Sequence, residues 1–328
     1  MSTPLDAQFG FKAETSYGTA VTVTNFMEFA SENIRPEYQL LTGSGFRPGA
    51  HAIRSDRTAR NGMIGCSGSV TWQPLAAGGS GLSALLAPAL GAVTTSGPTT
   101  SSYTHTGTFG DLAGDSLTIQ VGRPGTAGTV HPFTYAGCKV GGLTLRNSLD
   151  GFLEASLDIA HALSETTGIA LASASYTAST ELYSWSDGGL TVAGSTVNIS
   201  DVSFSLRNPY RLRRYVGGTQ GEPLQNGLRE ATCTFTMEFE DLTELNYVRA
   251  TTVAAGQKKL VATWTGNTAI SASTYPQIIV TFEVSEITGD YVAQNGMEIN
   301  TLTVNAIARF DGTNSPMKIE VISADSTP

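Results

Sequence analysis

Histidines, cysteines and two clusters of arginine are the residues of this 328-residue chain with the most chemistry to offer. His51, His105, His131 and His161 are scattered, with no HExxH pair and no cysteine at ligand spacing, so no metal site is expected. Cys66, Cys138 and Cys233 form no CxxC. An odd count of cysteines, behind an N-terminus (Met1 to Gly10) without a basic start and an apolar core, points to reduced thiols. No serine lies in a G-x-S-x-G frame, which removes the nucleophile elbow. Gly43-Ser44-Gly45 resembles part of a nucleotide-binding loop but lacks the strand–loop–helix context that cradles a phosphate. Asp311-Gly312-Thr313-Asn314 lacks the other ligands of a calcium loop and reads as a tight turn. Asn198-Ile199-Ser200 is a chance glycosylation sequon inside a strand. These residues predict no catalytic group and no cofactor.

The arginines carry a clearer message. Arg35, Arg47, Arg54, Arg57 and Arg60 fall in one Gly/Pro-rich segment, and Arg207, Arg211, Arg213, Arg214 and Arg229 in a second. Those ten of the 19 basic residues face only Glu37, Asp56 and Glu222, whereas the rest of the chain holds 9 basic and 25 acidic residues. Two basic arms on an acidic body favour docking onto further copies of the chain. Nucleic acid is the other partner such arms would suit. Aromatic residues for base stacking are sparse in them (Phe46, Tyr210, Tyr215), and the acidic remainder repels phosphate.

The elements that must carry these arms are strands. Charged residues make up only 14 % and glycine stands at 36 copies, a turn-rich β composition. No apolar run approaches the roughly 20 residues of a membrane helix. Met1 to Thr24 reads as a polar arm and Phe26 to Ile34 as a strand. Arg35 to Gly65 is expected to be an extended hairpin loop, and loops of that length are usually functional. Ser67 to Gln73 alternates like a half-buried strand. Leu82 to Leu90 is spaced as a helix, stopped by Gly91, with Pro88 expected to shorten or kink it. Residues 92–115 read as a connector, followed by strands at Ser116–Val121, Pro132–Ala136, Lys139–Arg146 and Phe152–Ala160. The Ala/Ser/Thr-rich stretch from His161 to Thr180 holds the expected boundary.

Past that boundary the order repeats. Val197–Leu206 leads into the second Arg-rich segment, then the alternating strand Thr232–Phe239. A helix from Leu242 to Val253 follows, expected to be capped by Asp241 and to end at Gly256. Strands at Lys259–Thr265, Ile278–Val284 and Ile299–Ala308 complete the copy, and a polar tail starts at Ser323. A repeat of this kind decides the architecture. The strands have one apolar face and one small, mildly acidic face: Glu154, Ser156 and Asp158 oppose Leu153, Ala155, Leu157 and Ile159, and Glu238 opposes Cys233, Phe235 and Met237. Such a face is by default exposed to solvent; carried around a large closed barrel it would line a water-filled channel.

Ala7-Gln8-Phe9-Gly10-Phe11-Lys12-Ala13-Glu14-Thr15-Ser16-Tyr17-Gly18-Thr19 resembles the opening of tail tube (major tail) proteins of long, non-contractile-tailed bacteriophages, in particular those of actinobacterial hosts. Phe46-Arg47-Pro48-Gly49, Arg54-Ser55-Asp56-Arg57 and Gly65-Cys66-Ser67-Gly68-Ser69-Val70-Thr71 resemble their long loop and following strand, as does Tyr103 to Pro124 further on. The similarity is clearest over residues 7–160. It implies a mainly β fold, a tail-tube-type sandwich or half-barrel with a flanking α-helix and a long β-hairpin loop, and the internal repeat makes this two such domains in tandem. The domains are expected at 1–165 and 181–328, with a linker at 166–180. It also implies a virion tail protein, assembled in the bacterial cytoplasm. Three chains would make a pseudo-sixfold ring, and rings would stack head to tail.

The partners then expected are the tape measure protein in the lumen and the terminator and distal tail proteins at the ends. DNA passes only in transit, and no membrane is involved. Arg47, Arg54, Arg57, Arg60, Arg207, Arg211, Arg213 and Arg214 are the expected contacts between subunits or rings, and Glu154, Asp158 and Glu238 the expected lumen residues. Two alternatives are a distal tail or terminator protein of the same fold, and a carbohydrate-binding sandwich. The latter would want clustered exposed aromatics, whereas Trp72, Trp185 and Trp264 are far apart in sequence.

Overall fold

The computed structural model describes residues 3–328 except 46, 50, 80, 100, 178–180, 272, 293–296 and 298. Phe46 and the end of the expected linker therefore lie outside the described residues. The chain is mainly β. Its first half supplies β1 (Gln8–Ala13), β2 (Asn25–Met27), β3 (Phe29–Glu32), β4 (Arg35–Thr42), β5 (Thr58–Trp72), β6 (Gly91–Thr99), β7 (Ser102–Phe109), β8 (Leu117–Pro124), β9 (Val130–Ser148), β10 (Glu154–His161) and β11 (Ser164–Thr166). The second half adds β12 (Gly188–Val192), β13 (Ser195–Val197), β14 (Ile199–Arg207), β15 (Tyr210–Arg214), β16 (Gln220–Gln225), β17 (Glu230–Glu238), β18 (Gln257–Thr265), β19 (Gln277–Gly289), β20 (Thr301–Ala308) and β21 (Lys318–Ser323). The helices are α1 (Leu82–Leu90), α2 (Thr243–Val248) and α3 (Val253–Gly256).

One layer runs β3–β5–β10–β9–β14–β17–β20–β19, entirely antiparallel and open at both ends. The other layer is β2–β1–β8 with the start of β9 in the first half. In the second half it is β13–β12–β18–β19–β21, extended by the β7–β6 hairpin of the first half. The buried faces of both layers meet in one continuous core containing Trp72, Phe204, Phe235, Trp264 and Phe282.

Strands β9 and β19 each begin in one layer and end in the other. In β9 the change falls at Gly137, whose φ of +69° disfavours a side chain. Its N–H donates to Glu14 Oε1 (2.9 Å). That carboxylate also accepts from Gly18 N, Ser116 Oγ and Thr118 Oγ1, so one residue pins the N-terminal segment to the bend.

Several expectations change. The polar arm contains β1, because Phe9 and Phe11 alternate with small or polar residues and are buried at 0 % and 1 % exposure. Residues 92–115 are not merely a connector: they hold the β6–β7 hairpin, where threonines at alternate positions suit a pleated, half-buried surface. Its buried His105 joins Thr95 Oγ1 (2.9 Å) to the carbonyl of Asp325 (2.9 Å), which anchors the C-terminal tail. The stretches 132–136 and 139–146 are one strand rather than two. The second helix is broken into α2 and α3 around the β-branched Thr251 and Thr252, which favour extended backbone. Asp241 Oδ1 still accepts the Thr243 N–H (2.6 Å), one residue ahead of the cap position. Helix α1 matches its expected limits, runs through Pro88, and ends at Gly91 with φ +90°.

Candidate functional site

The polar face of the large layer is continuous across both halves. Register alone sets its rows. Ser69, Asp158, Gly142, Arg207 and Glu230 stand side by side. The next row is Thr71, Ser156, Thr144, Ser205 and Thr232, and the next Glu154, Arg146, Ser203, Thr234 and Asn305. Ser148, Asp201, Thr236 and Thr303 follow, with Glu238 beside Thr301 beyond them. Side-chain hydrogen bonds knit the rows, among them Thr144 Oγ1 to Ser205 Oγ (3.2 Å) and Thr234 Oγ1 to Asn305 Oδ1 (2.9 Å).

Glu154, Asp158 and Glu238 are all exposed on this one face, although sequence reasoning took the first two from one strand and Glu238 from another. Asp201 and Glu230 join them, against Arg146 and Arg207, so the face is net acidic. Arg146 is paired with Asp201 (3.2 Å). Partial burial against the neighbouring strand pushes the Asp158 carboxyl above its usual range. Arg207 was expected in the second arm; β14 extends one residue beyond Leu206 and places it on this face. The period-2 alternation Asp201-Ser203-Ser205-Arg207 was the available signal for it.

The other expected arginines sit on two hairpins. β4–β5 carries Arg47, Arg54, Arg57 and Arg60, all exposed, with Arg54 bound to Asp56 (2.6 Å). β15–β16 carries Arg211, Arg213 and Arg214, also exposed; Arg213 lies over the Tyr215 ring at 5.9 Å. The two hairpins touch each other where Gln220 Nε2 donates to the Met63 carbonyl (2.6 Å). Arg229, grouped with the second arm by sequence, donates to the carbonyls of Leu90 and Gly110 and stacks over Phe109 at 4.7 Å. It closes the end of α1 instead of reaching outward.

The residue that sequence reasoning missed is Lys139. Its side chain is fully buried, and Nζ donates to Glu222 (2.6 Å), Leu112 O (2.8 Å) and Asp115 O (2.6 Å). Glu222, from the β15–β16 hairpin, also accepts the Gly114 N–H (2.6 Å). This pair ties the second hairpin down onto the first half.

Among the described residues no His/Cys/Asp/Glu cluster could hold a metal ion, and no helix is long and apolar enough to cross a membrane. The cysteines are buried singly. Burial pushes the Cys66 thiol up to about 12 and the Cys138 and Cys233 thiols well upward too. A raised thiol pKa means protonated, unreactive sulfur at neutral pH. Native protein at pH 8 is therefore expected to take up no iodoacetamide, and all three thiols to label once it is unfolded, as read by intact mass. The tryptophans form no stacking platform for a sugar: Trp72 and Trp264 are 1 % exposed, and Trp185, at 46 %, is the accessible one of the three.

The fold is a two-layered, mainly β one with a continuous polar face and two projecting basic hairpins, the form of a structural protein. The chain belongs to the phage tail tube protein family, whose model matches residues 4–308. It is accordingly a structural component of the virion tail, of a kind that assembles into a multi-subunit tube. No curated protein matches the chain.

Proposed function

We propose that this chain forms the wall of a non-contractile phage tail tube through which DNA leaves the capsid. Each chain supplies two tandem units, about 1–165 and 181–328, and three chains close a pseudo-sixfold ring. Rings stack head to tail, because a heterologous contact repeated along an axis makes a filament. The tape measure protein occupies the bore before ejection, terminator and distal tail proteins cap the ends, and assembly takes place in the host cytoplasm.

The observation that carries this reading is the unbroken polar face across the β9·β14 junction. The two halves join as neighbouring sectors of one wall, side by side in a single sheet, and turn the same small, acidic face in the same direction. Glu154, Asp158 and Glu238 would line the bore, where negative charge on every side repels phosphate and leaves no strong site to trap it. Closing the open ends of the sheet into a barrel would also remove exposed edges.

Negative-stain microscopy of purified protein tests it: long tubes with threefold or pseudo-sixfold rotational averages are expected. Discrete rings that never elongate would favour a distal tail or terminator role instead. A second expectation concerns the arms. Reversing charge in Arg54→Glu/Arg57→Glu should abolish tube growth while leaving the melting temperature of the free chain within a few degrees of the parent, since both residues are exposed. Normal tubes from that variant would remove the arm from the assembly mechanism.

A further inference from the structure

The internal repeat makes it possible to ask what each half lacks that the other has. Cross-strand partners fix the correspondence. In the first half Val70, Leu157 and Leu143 stand side by side on β5, β10 and β9; in the second Cys233, Ala306 and Ile287 do so on β17, β20 and β19. The crossing strands then align as Cys138-Lys139-Val140-Gly141-Gly142-Leu143-Thr144 with Phe282-Glu283-Val284-Ser285-Glu286-Ile287-Thr288. Cys138 and Phe282 agree independently, each lying opposite a leucine (Leu117, Leu260) on the preceding strand. Lys139 and Glu283 thus hold the same place in the two units, with opposite charge.

Their surroundings differ. Lys139 is roofed by the β15–β16 hairpin and sealed by Glu222. Glu283 lies in an open groove of about 940 Å³, beside Phe109, Leu228, Arg309, Phe310 and Lys318. Leu228 and Phe310 are 94 % and 66 % exposed there, and among the described residues the only ion pair of Glu283 is to a half-exposed Lys259. Exposed pairs of that kind contribute little.

The β4–β5 hairpin is the counterpart of the roof. It leaves the first unit as β15–β16 leaves the second, and it projects Tyr38, Leu40, Leu41 and Ile53 at 45–62 % exposure. It springs from the β3·β5 end of the large layer, whereas the groove lies at the opposite end, by β17, β20 and β19. Its own chain therefore does not offer it this seat. The β15–β16 hairpin belongs to the unit whose β14 pairs with β9, and it leans across that junction onto the preceding unit. The same lean would carry β4–β5 onto the second unit of a preceding copy. Counting back equally from the aligned residues Gly68 and Ala231, the position of Glu222 corresponds to Ala59, between Arg57 and Arg60.

We propose that the groove around Glu283 is the seat for the β4–β5 hairpin of a neighbouring copy, with Arg57 and Arg60 meeting Glu283 as Glu222 meets Lys139 within the chain. The proposal rests on the tube-wall reading and names the surface by which one copy receives the next. The inverted charges give it a second property. Glu222 is repelled by Glu283, and Arg57 and Arg60 by Lys139, so the internal seat and the external seat do not exchange occupants.

Photo-crosslinking through p-benzoylphenylalanine in place of the exposed Leu228 tests the seat without disturbing the core. Tubes are assembled from equal amounts of ¹⁵N-labelled and unlabelled protein, so that adducts between copies show mixed isotope patterns. The expected adducts join residue 228 to peptides within 36–63 of another copy. Tubes that form but crosslink elsewhere, or only within one chain, overturn the seat and leave the tube reading intact. Failure of the parent protein to form tubes under any condition removes the tube reading and the seat with it. In parallel, Glu283→Arg and the pair Arg57→Glu/Arg60→Glu should each lose at least tenfold in tube yield, and the three changes together should recover most of it. No loss in the single sets, or no recovery in the combined one, also counts against the seat.

Discussion

Lys139→Ala is expected to lower the unfolding free energy by about 3–5 kcal/mol, the range for breaking a buried ion pair from one side. The lysine side chain has no solvent exposure, and its loss strands Glu222 and the carbonyls of Leu112 and Asp115 without their donor. Glu222 keeps the Gly114 N–H as a donor. Urea unfolding followed by tryptophan fluorescence gives the magnitude. Limited trypsinolysis gives the location: cleavage after Arg211, Arg213 and Arg214 should accelerate at least tenfold as the hairpin lifts from the first half. Lys139→Met combined with Glu222→Leu should regain most of the stability, since replacing both charges with apolar groups of similar size avoids the buried orphan. A single variant within about 1 kcal/mol of the parent would mean that the pair does not hold the hairpin.

Trp264→Ala should cost a similar amount, about 3–5 kcal/mol, through lost burial and the cavity left behind. Trp264 is 1 % exposed and meets Phe204 edge to face at 6.4 Å between centroids. Its indole N–H donates to Asn147 Oδ1 (3.3 Å), on the end of β9. The side chain thus bridges the two halves where they join, and Gly188 leaves room for it: a Cβ there would fall 2.7 Å from Nε1. Differential scanning calorimetry should show a single transition displaced to lower temperature. Trp185→Ala, at a half-exposed position, should stay within about 0.5 kcal/mol. Equal effects from the two tryptophans would contradict this account of the core.

How far the fold could be read in the sequence depends on how local each feature is. The strands that alternate cleanly, β10, β14 and β17, were found with nearly correct limits, because side chains on a pleated backbone change face at every residue whatever their neighbours. Helix α1 was legible from its leucine spacing and its terminal glycine. The β6–β7 hairpin was not, because its Ser, Thr and Gly residues suit a loop as well as an edge strand until β21 pairs with it. β1 was hidden inside a mostly polar segment, although Phe9 and Phe11 were its signal.

The sites divide in the same way. Glu154, Asp158 and Glu238 were assignable to a polar face from alternation alone, and the arginines of the first hairpin to an exposed arm from the glycines and prolines around them. Lys139 looked like an ordinary strand lysine, since the glutamate that buries it lies 83 residues further along the chain. The face to which each side chain turns was written in the sequence, because backbone geometry fixes it residue by residue. Which strands stand beside one another, which lysine is buried and which groove is left open were decided only in three dimensions. Such pairings are chosen by long-range packing among many similar edges, and no single stretch of residues encodes that choice.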